Sequence, residues 1–385
     1  MLDFTSALYL GLKHPTRTLP PWQQFTTGAP AALVVAADAR AISQDLAVLM
    51  GCEAATLGTS TFHLVWDLFG LLAKSPVTLY MDAEVYPITR WGIQRAAQCG
   101  VAVKTFPHHD PTALRRELTA APRGHTPVIV TDGFCPGCGR VAPLREYQEL
   151  ANQWGGLVVA DDTQALGILG QRPGRTNPYG GGGGGSFPWS NAGGNNIIVM
   201  ASLAKAFGVP VAVLGGSRSW VGHFNANAET RVHCSPPSIP TLLAARHALR
   251  INHEWGDVLR LRLRRLIQTF REKLRTLGVG ASGGLFPTQT LQPAPDGDAI
   301  ALHENLARHG MRTVLQRGST GGGAQVTLLL SASHSFEEIE TAAAMIGQAL
   351  HKTERTFRRI DHQSILQTNT PPDVIKRTGQ PEKSR

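Results

Sequence analysis

The sequence predicts an α/β protein with a mostly parallel central sheet in a large domain and a smaller α+β domain after it. Three observations carry this reading. Apolar runs of strand length alternate with helix-like segments over the first half of the chain, the arrangement that builds a parallel sheet covered by helices. Two of those runs, at 157–160 and 197–201, stop abruptly at polar groups, Asp161-Asp162 in one case and Ser202-Leu-Ala-Lys205 in the other. Unbroken apolar runs suit strands buried on both faces. Finally, 385 residues of which 42% are apolar exceed one simple core and suffice for two.

In chain order, Ile42, Leu46 and Leu49 have helical spacing within 38–50, and Gly51 stops that helix. Gly58-Thr-Ser-Thr-Phe62 opens the next helix, whose apolar face is Phe62, Val65, Leu68, Leu71 and Leu72. Strands follow at 77–81, 101–106 and 127–131, the last with Asp132 at its carboxyl end, and a helix over 144–154 ends at Gly155-Gly156. Between the two central strands lies Gly180 to Gly185, with flanks that run from Gly174 to Asn195. Such a run lacks side chains to pack and predicts a mobile insertion. A strand over 209–216 returns, and a long basic helical segment runs to Gly278. Four regions result: residues 1–37 as a segment joining the small domain, 38–225 as the large domain, 226–350 as the long helix and small domain, and 351–385 as a disordered basic tail.

Lys and Arg exceed Asp and Glu by 37 − 28 = 9. The excess concentrates in Arg260, Arg262, Arg264, Arg265, Arg271, Lys273 and Arg275, interleaved with Leu259, Leu261, Leu263, Leu266 and Ile267. This predicts a solvated helix face with snorkelling arginines. A docking patch for coenzyme A phosphates or an acyl carrier protein ranks second, and nucleic acid last, since no aromatic platform accompanies the charge. There is no apolar run of about 18 residues and no signal-like amino terminus, so a soluble protein is expected. Five cysteines, at 52, 99, 135, 138 and 234, form no disulfide framework and fit a reduced cytoplasm. Cys135-Pro-Gly-Cys138 is a single C-x-x-C without a second pair, and His108-His109-Asp110 lacks ligand spacing. No metal is therefore expected.

In an open α/β sheet ligands sit at the carboxyl ends of the strands, so Asp161 and Lys205 are placed to face one ligand. A lysine with small neighbours can hold a cofactor aldehyde as a Schiff base. A carboxylate on the ring nitrogen keeps that nitrogen protonated and the ring an electron sink. The pair suggests pyridoxal phosphate. Either residue alone reads equally as a helix cap or a strand-end surface lysine. Ser60-Thr61-Phe62, at a helix start rich in hydroxyls and free N–H groups, is either a phosphate cradle or a plain cap.

Val130-Thr-Asp-Gly-Phe134, Val141-Ala-Pro-Leu144, Asp161-Asp-Thr-Gln-Ala-Leu-Gly167 and Ser202-Leu-Ala-Lys-Ala-Phe-Gly208 resemble, in order and strand context, the landmarks of the α-oxoamine synthases. The resemblance implies the pyridoxal-phosphate fold type I and a homodimer with its cofactor at the subunit boundary. It implies an acyltransferase that condenses an amino-acid-derived carbanion with an acyl thioester of coenzyme A or an acyl carrier protein, in specialised metabolism. Carried onto this chain, Lys205, Asp161, Tyr86 and Gln164 are the implied catalytic residues. Ser202, Ser60, Thr61, Phe62 and Asp132 join them in holding the cofactor. Tyr86 and Gln164 stand where the family has histidines, and His108-His109-Asp110 resembles its His-Asn-Asp turn.

The substrate side departs from the family. Ser6-Ala-Leu-Tyr-Leu-Gly-Leu12 resembles the entry segment but has Ala7 in place of the asparagine that helps hold the amino-acid carboxylate. In 324–335, Thr327 replaces the clamping arginine, and Gln325 stands where a second arginine is frequent. A guanidinium–carboxylate fork has no equal in a threonine hydroxyl. Two classes therefore stay open: an acyltransferase whose donor carboxylate is masked or held elsewhere, for instance by Arg90 or Arg218, and an aminotransferase or lyase on the same scaffold. A catalytically degenerate partner subunit is a third, opposed by the retained Asp161, Ser202 and Lys205.

Overall fold

The computed structural model describes residues 1–292, 298–317 and 323–350. The tail read at 351–385 lies outside the described residues. In chain order, β1 (Leu2–Asp3) precedes α1 (Ala37–Met50). Then β2 (Ala54–Gly58), α2 (Thr61–Leu72), β3 (Val77–Asp82), α3 (Pro87–Gln98), β4 (Ala102–Phe106), α4 (Pro111–Thr119) and β5 (Thr126–Asp132) alternate. A short hairpin, β6 (Phe134–Cys135) and β7 (Arg140–Val141), leads to α5 (Leu144–Gln153), β8 (Leu157–Asp161), α6 (Ser186–Ser190), β9 (Ile197–Ser202) and β10 (Ala212–Gly216). After α7 (Arg218–Asn227), α8 (Glu229–His233) and α9 (Ile239–Thr276) come β11 (Ala281–Ser282), β12 (Thr288–Leu291), α10 (Ala299–Arg308), β13 (Met311–Arg312), β14 (Val314–Arg317), β15 (Ala324–Leu329) and α11 (336–350).

Among the described residues a seven-stranded sheet has the order β2-β10-β9-β8-β5-β3-β4. Only β10 runs against its neighbours. The period-two geometry of strands sends Val128, Val130, Val159, Ile198 and Met200 to one face, against Leu64 and Phe69 of α2 and Ile93 of α3. Ile129, Val158, Ala160 and Val199 go to the other, in one core with Leu46 of α1, Tyr147 of α5 and Leu263 of α9. A four-stranded antiparallel sheet, β11-β12-β15-β14, forms separately. β1 pairs in parallel with β13, so residues near the amino terminus join the carboxyl-terminal part of the fold.

Helix α9 is 38 residues long, about 57 Å at the helical rise. Ser238 caps its first turn by accepting from the Thr241 N–H at 3.3 Å. Its buried stripe, Leu242, Ala245, Leu249, Asn252, Gly256, Arg260, Leu263, Ile267, Phe270 and Leu274, follows helical spacing but contains an arginine. The expected solvated basic face is therefore corrected in part. Arg260 is 2% exposed and donates to Asn252 Oδ1 at 2.7 Å, the Gly167 carbonyl at 2.9 Å and Asp257 Oδ1 at 2.7 Å. Arg262 donates to the Ala332 and His334 carbonyls at 2.7 and 2.8 Å, and Arg271 to Gln289 at 2.8 Å. These guanidinium groups hold loop carbonyls, a task their planar forks suit.

One such loop is the glycine run, and the expectation of mobility is overturned. Gly182 donates to Asp257 at 3.1 Å and accepts from Asn252 at 2.9 Å. Gly167 and Gly183, and Gly185 and Leu169, are joined by backbone bonds at 2.8 and 2.7 Å. The glycines are there for space: a Cβ on Gly184 would lie 2.0 Å from the Leu49 carbonyl, and one on Gly185, whose φ is +102°, would lie 2.0 Å from Asp162 Oδ2. The hydrogen bonds offset the entropy that composition alone leaves uncompensated.

Asp162 anchors the far end of this loop. It is 1% exposed and accepts from the Ser186 N–H at 2.9 Å and from the Ser186 hydroxyl. Burial pushes its carboxyl up to about 7, against the pull of the Ser186 bonds. A folded-state value raised above the ordinary 3.8 contributes stability that is complete below about pH 3.8 and is lost as pH rises through about 7. The thermal midpoint of wild type should therefore fall, relative to that of Asp162→Asn, as pH is raised from about 4 to about 7. Parallel midpoint curves in scanning calorimetry would show that Asp162 titrates alike in both states.

Candidate active site at the carboxyl edge of the sheet

Strands β3, β5, β8 and β9 are parallel and end together in Asp82, Asp132, Asp161 and Ser202. Asp132 and Asp161 are direct register partners. Asp161 is 7% exposed, and its Oδ1 accepts from the Thr163 N–H at 2.9 Å. The Thr163 hydroxyl in turn accepts from the Ser202 N–H at 3.0 Å, tying the ends of β8 and β9. Ser202 Oγ accepts from the Ala204 N–H at 3.2 Å, which starts the tight turn carrying Lys205. That turn closes with Gly208 N–H on the Lys205 carbonyl at 3.2 Å and Leu203 N–H on Val211 at 2.8 Å. Lys205 thus stands on a short, fixed loop between buried Leu203, Ala206 and Phe207.

Burial holds the Lys205 ammonium below its ordinary range, while the Asp161 and Asp132 carboxylates pull it back up. Burial raises Asp132 and Asp161 above the usual carboxylate range, and the charge of Asp161 adds to the rise at Asp132. Titratable groups shifted from their ordinary ranges by burial and by one another, gathered at one sheet edge, mark a candidate functional site. Asp132 is engaged further: its oxygens accept from the Tyr86 N–H at 3.1 and 3.3 Å. Tyr86 caps α3, with Pro87 next. Its ring, 50% exposed, has the Lys205 ammonium 5.9 Å from its centroid.

Ala212 of β10 is in register with Ser202 on one side and Gly58 on the other, so the start of α2 lies on the same edge. Ser60 is its N-cap, accepting from the His63 N–H at 3.4 Å and bonding His63 Nδ1 at 2.8 Å. The plain-cap role of Ser60 is thus observed. First-turn N–H groups, here those of Thr61 and Phe62, have no acceptor within the helix and suit an anion. Phe62 is 42% exposed and packs its ring 6.3 Å from that of Trp91.

The sequence did not mark Tyr9 as functional, though it lies in the entry segment. It is 1% exposed, and its hydroxyl donates to Gln164 Oε1 at 2.8 Å and lies 3.3 Å from Thr288 Oγ1. Burial pushes its phenol up to about 12, so it stays a donor. Gln164, with its oxygen so occupied, keeps its amide N–H groups for other acceptors. Thr163 was likewise overlooked within the quoted run, because a backbone-positioning role has no distinctive residue type.

Thr288, Thr290 and Thr327 are buried hydroxyls on adjacent strands of the small sheet, and Thr290 and Thr327 bond each other at 2.8 Å. Ala7 is half-buried against the core. Of the two arginines considered as substitutes, Arg218 is excluded within one subunit. It follows Gly216, which is in register with Ile198 at the amino end of β9, so it lies at the opposite edge. Arg90 lies near Tyr86 and already donates to the Ala83 and Val85 carbonyls at 2.9 and 3.3 Å.

The group that the lysine–aspartate pair suggests fits this edge. The α2 start would take its phosphate, Asp161 its ring nitrogen, Lys205 its aldehyde carbon, and Tyr86 one ring face. The model of the aminotransferase class I and II family matches residues 40–346. The chain is 28% identical over 362 residues to the 8-amino-7-oxononanoate synthase of Halorhodospira halophila, covering 91% of this chain and 86% of that one. It is 27% identical over 360 residues to that of Methylococcus capsulatus, covering 91% and 89%. In structure it resembles a serine palmitoyltransferase of Sphingomonas wittichii, with TM-score 0.79, 18% identity and coverage of 91% and 88%. An 8-amino-7-oxononanoate synthase of Francisella tularensis superposes with TM-score 0.70 at 18% identity, covering 92% and 99%.

Without a guanidinium at 327, free glycine should bind weakly. A charge-assisted contact contributes about 1.5–3 kcal/mol, so Ala7→Asn with Thr327→Arg should tighten glycine binding roughly tenfold or more. Spectral titration of the cofactor measures it. Equal affinity in wild type would mean that another cation, with Arg90 on this edge, holds the carboxylate.

Proposed function

Because the chain belongs to the aminotransferase class I and II family, we propose that it is a pyridoxal 5'-phosphate-dependent transferase that condenses an amino acid with an acyl thioester. The observation that carries this is Lys205 facing Asp161 and Asp132 at one sheet edge, in a chain whose relatives over nine-tenths of its length bear the name of one such synthase. When bound, the cofactor supplies an electron-accepting ring beside the amino-acid carbon. The remaining tasks fall to the chain.

Lys205, with its ammonium destabilised by burial, offers a neutral amine at modest cost and can take a proton from the substrate carbon and return it. Asp161, fixed by Thr163, keeps a proton on the ring nitrogen through its charge. Tyr86 presents an aromatic face in place of an imidazole and orders its own loop through Asp132. Gln164, oriented by Tyr9, donates a hydrogen bond without titrating. The thioester arrives as a carrier conjugate, of coenzyme A or an acyl carrier protein; its acyl carbon would bond to the amino-acid carbon as the C–S bond breaks, and the carrier would leave as a free thiol.

The activity assay follows thiol release from an acyl thioester in the presence of amino acids, with keto-acid formation followed in parallel. Wild type should release thiol only when the amine is present, and Lys205→Ala should lose both this release and the visible cofactor absorbance, by at least about a thousandfold in rate. Keto-acid formation without thiol release would assign the chain to transamination instead. We also propose a homodimer, since two-fold dimers are the commonest assembly and the family places its sites between subunits. Light scattering should return twice the chain mass, and a fully active monomer would refute it.

A further inference from the structure

Two sequence motifs that looked inert separately meet in the fold. The Cys135-Pro136-Gly137-Cys138-Gly139 turn joins β6 to β7, and the Cys138 N–H donates to Cys135 Sγ at 3.3 Å. Gly139, with φ +69°, returns its N–H to the Cys135 carbonyl at 2.9 Å. Both sulfurs are therefore held on one side of a tight knuckle, and neither is in a disulfide. His108, from the turn between β4 and α4, places Nε2 3.4 Å from Cys138 Sγ. Its ligand atom and the two sulfurs all lie within 4.8 Å of one another.

His109 lies beside it, its ring stacked on that of His108 with centroids 3.7 Å apart. Its Nδ1 is 3.9 Å from Cys138 Sγ, and its buried Nε2 has no partner. The backbone at His109 is left-handed, φ 55°, a conformation that costs a residue with a Cβ and needs a reason. Behind the pair, Asp82 is 1% exposed. It bonds His108 Nδ1 at 2.7 Å and accepts from the His109 N–H at 3.0 Å. A carboxylate on one imidazole nitrogen fixes the tautomer and turns the other nitrogen toward a metal.

We propose that Cys135, Cys138, His108 and His109 bind one structural zinc ion, with Asp82 as the carboxylate that orients His108. Zn–S bonds near 2.3 Å and Zn–N bonds near 2.05 Å make the sulfur-to-nitrogen edge of a tetrahedron about 3.6 Å. The observed 3.4 and 3.9 Å bracket it. Two thiolates and two imidazoles are a borderline-soft set that suits zinc rather than magnesium or calcium. On binding, both thiol protons leave to solvent as the two Zn–S bonds form, with no change of oxidation state. The ion would staple the turn after β4 to the β6–β7 turn, with Asp82 at the end of β3 held behind His108. The segment that follows Asp82 carries Tyr86, so the zinc would brace one wall of the site without touching the reacting atoms.

The test is metal analysis of the untagged holoenzyme after dialysis against metal-free buffer. One zinc per chain is expected by elemental mass spectrometry. Cys135→Ser with Cys138→Ser, and His108→Ala, should each fall at least tenfold, while Cys99→Ser keeps its zinc. Cobalt loaded into metal-stripped wild type should give a tetrahedral visible spectrum with thiolate charge-transfer bands, a readout that does not depend on any variant folding. Wild type that holds no zinc and takes up neither zinc nor cobalt would overturn the proposal. So would zinc retained by the double serine variant, or a Cys135–Cys138 disulfide found by peptide mapping of protein prepared under reductant-free but anaerobic conditions.

Discussion

The constraint on which this molecule turns is electrostatic: the buried carboxylate of Asp161 meets the partly buried carboxylate of Asp132 and the partly buried ammonium of Lys205 at the ends of adjacent strands. Strands pair about 4.8 Å apart, so the register of Asp132 on Asp161 forces two desolvated acids together. Each is raised by burial, and the lysine that faces both is lowered by it. A lone buried charge would neutralise itself, whereas the attraction between the lysine and the two carboxylates offsets part of the cost of burying them. Thr163 and the Tyr86 N–H steady the carboxylates. The seven-stranded sheet beneath acts as the rigid plate that keeps the spacing from relaxing.

What was legible in the sequence was the part governed by local pattern. The strand ends, the lysine turn and the helix start opened by Gly58 all announce themselves in a few contiguous residues, because a short apolar run that stops at a charge is the pattern a buried strand leaves where it reaches the edge of its sheet. What was illegible depended on partners distant in the chain. The glycine run looked unpackable because its stabilising groups, Asn252, Asp257 and Arg260, sit on a helix some 70 residues further on. Arg260 read as solvated for the same reason: nothing local shows that a loop carbonyl waits for it. Likewise, the histidine pair and the cysteine turn follow successive strands, β4 and β5, and only the sheet order, with β3 between them, brings their loops together over Asp82.

The substrate side illustrates a different kind of change. Thr327 of the small sheet stands where the resemblance puts an arginine, and Thr288 and Thr290 are further buried hydroxyls on the neighbouring strand. Hydroxyls both donate and accept and carry no charge, so they lack the charge-assisted contact that a guanidinium gives a free carboxylate. Tyr9 ties this sheet to the cofactor side through Gln164, so recognition and chemistry share one hydrogen-bonded chain. The two departures from the family pattern, Ala7 and Thr327, thus fall on the amino-terminal segment and the small sheet, while Asp161 and Lys205 at the strand ends follow it.

The parallel pairing of β1 with β13 joins residues 311 − 2 = 309 positions apart. On the ribosome, at about 5–20 residues per second, the amino-terminal segment waits roughly 15 to 60 s for its partner strand. Phe4, fully buried in the finished protein, and Tyr9 remain uncovered throughout that interval, although the large sheet can form meanwhile. Every strand of the large sheet, β2 to β10, is made before β13, so the edge that carries Lys205 can form before β1 finds its partner. Order of synthesis thus separates the two sheets: all strands of the large one exist in the nascent chain before the strand that anchors the amino terminus does.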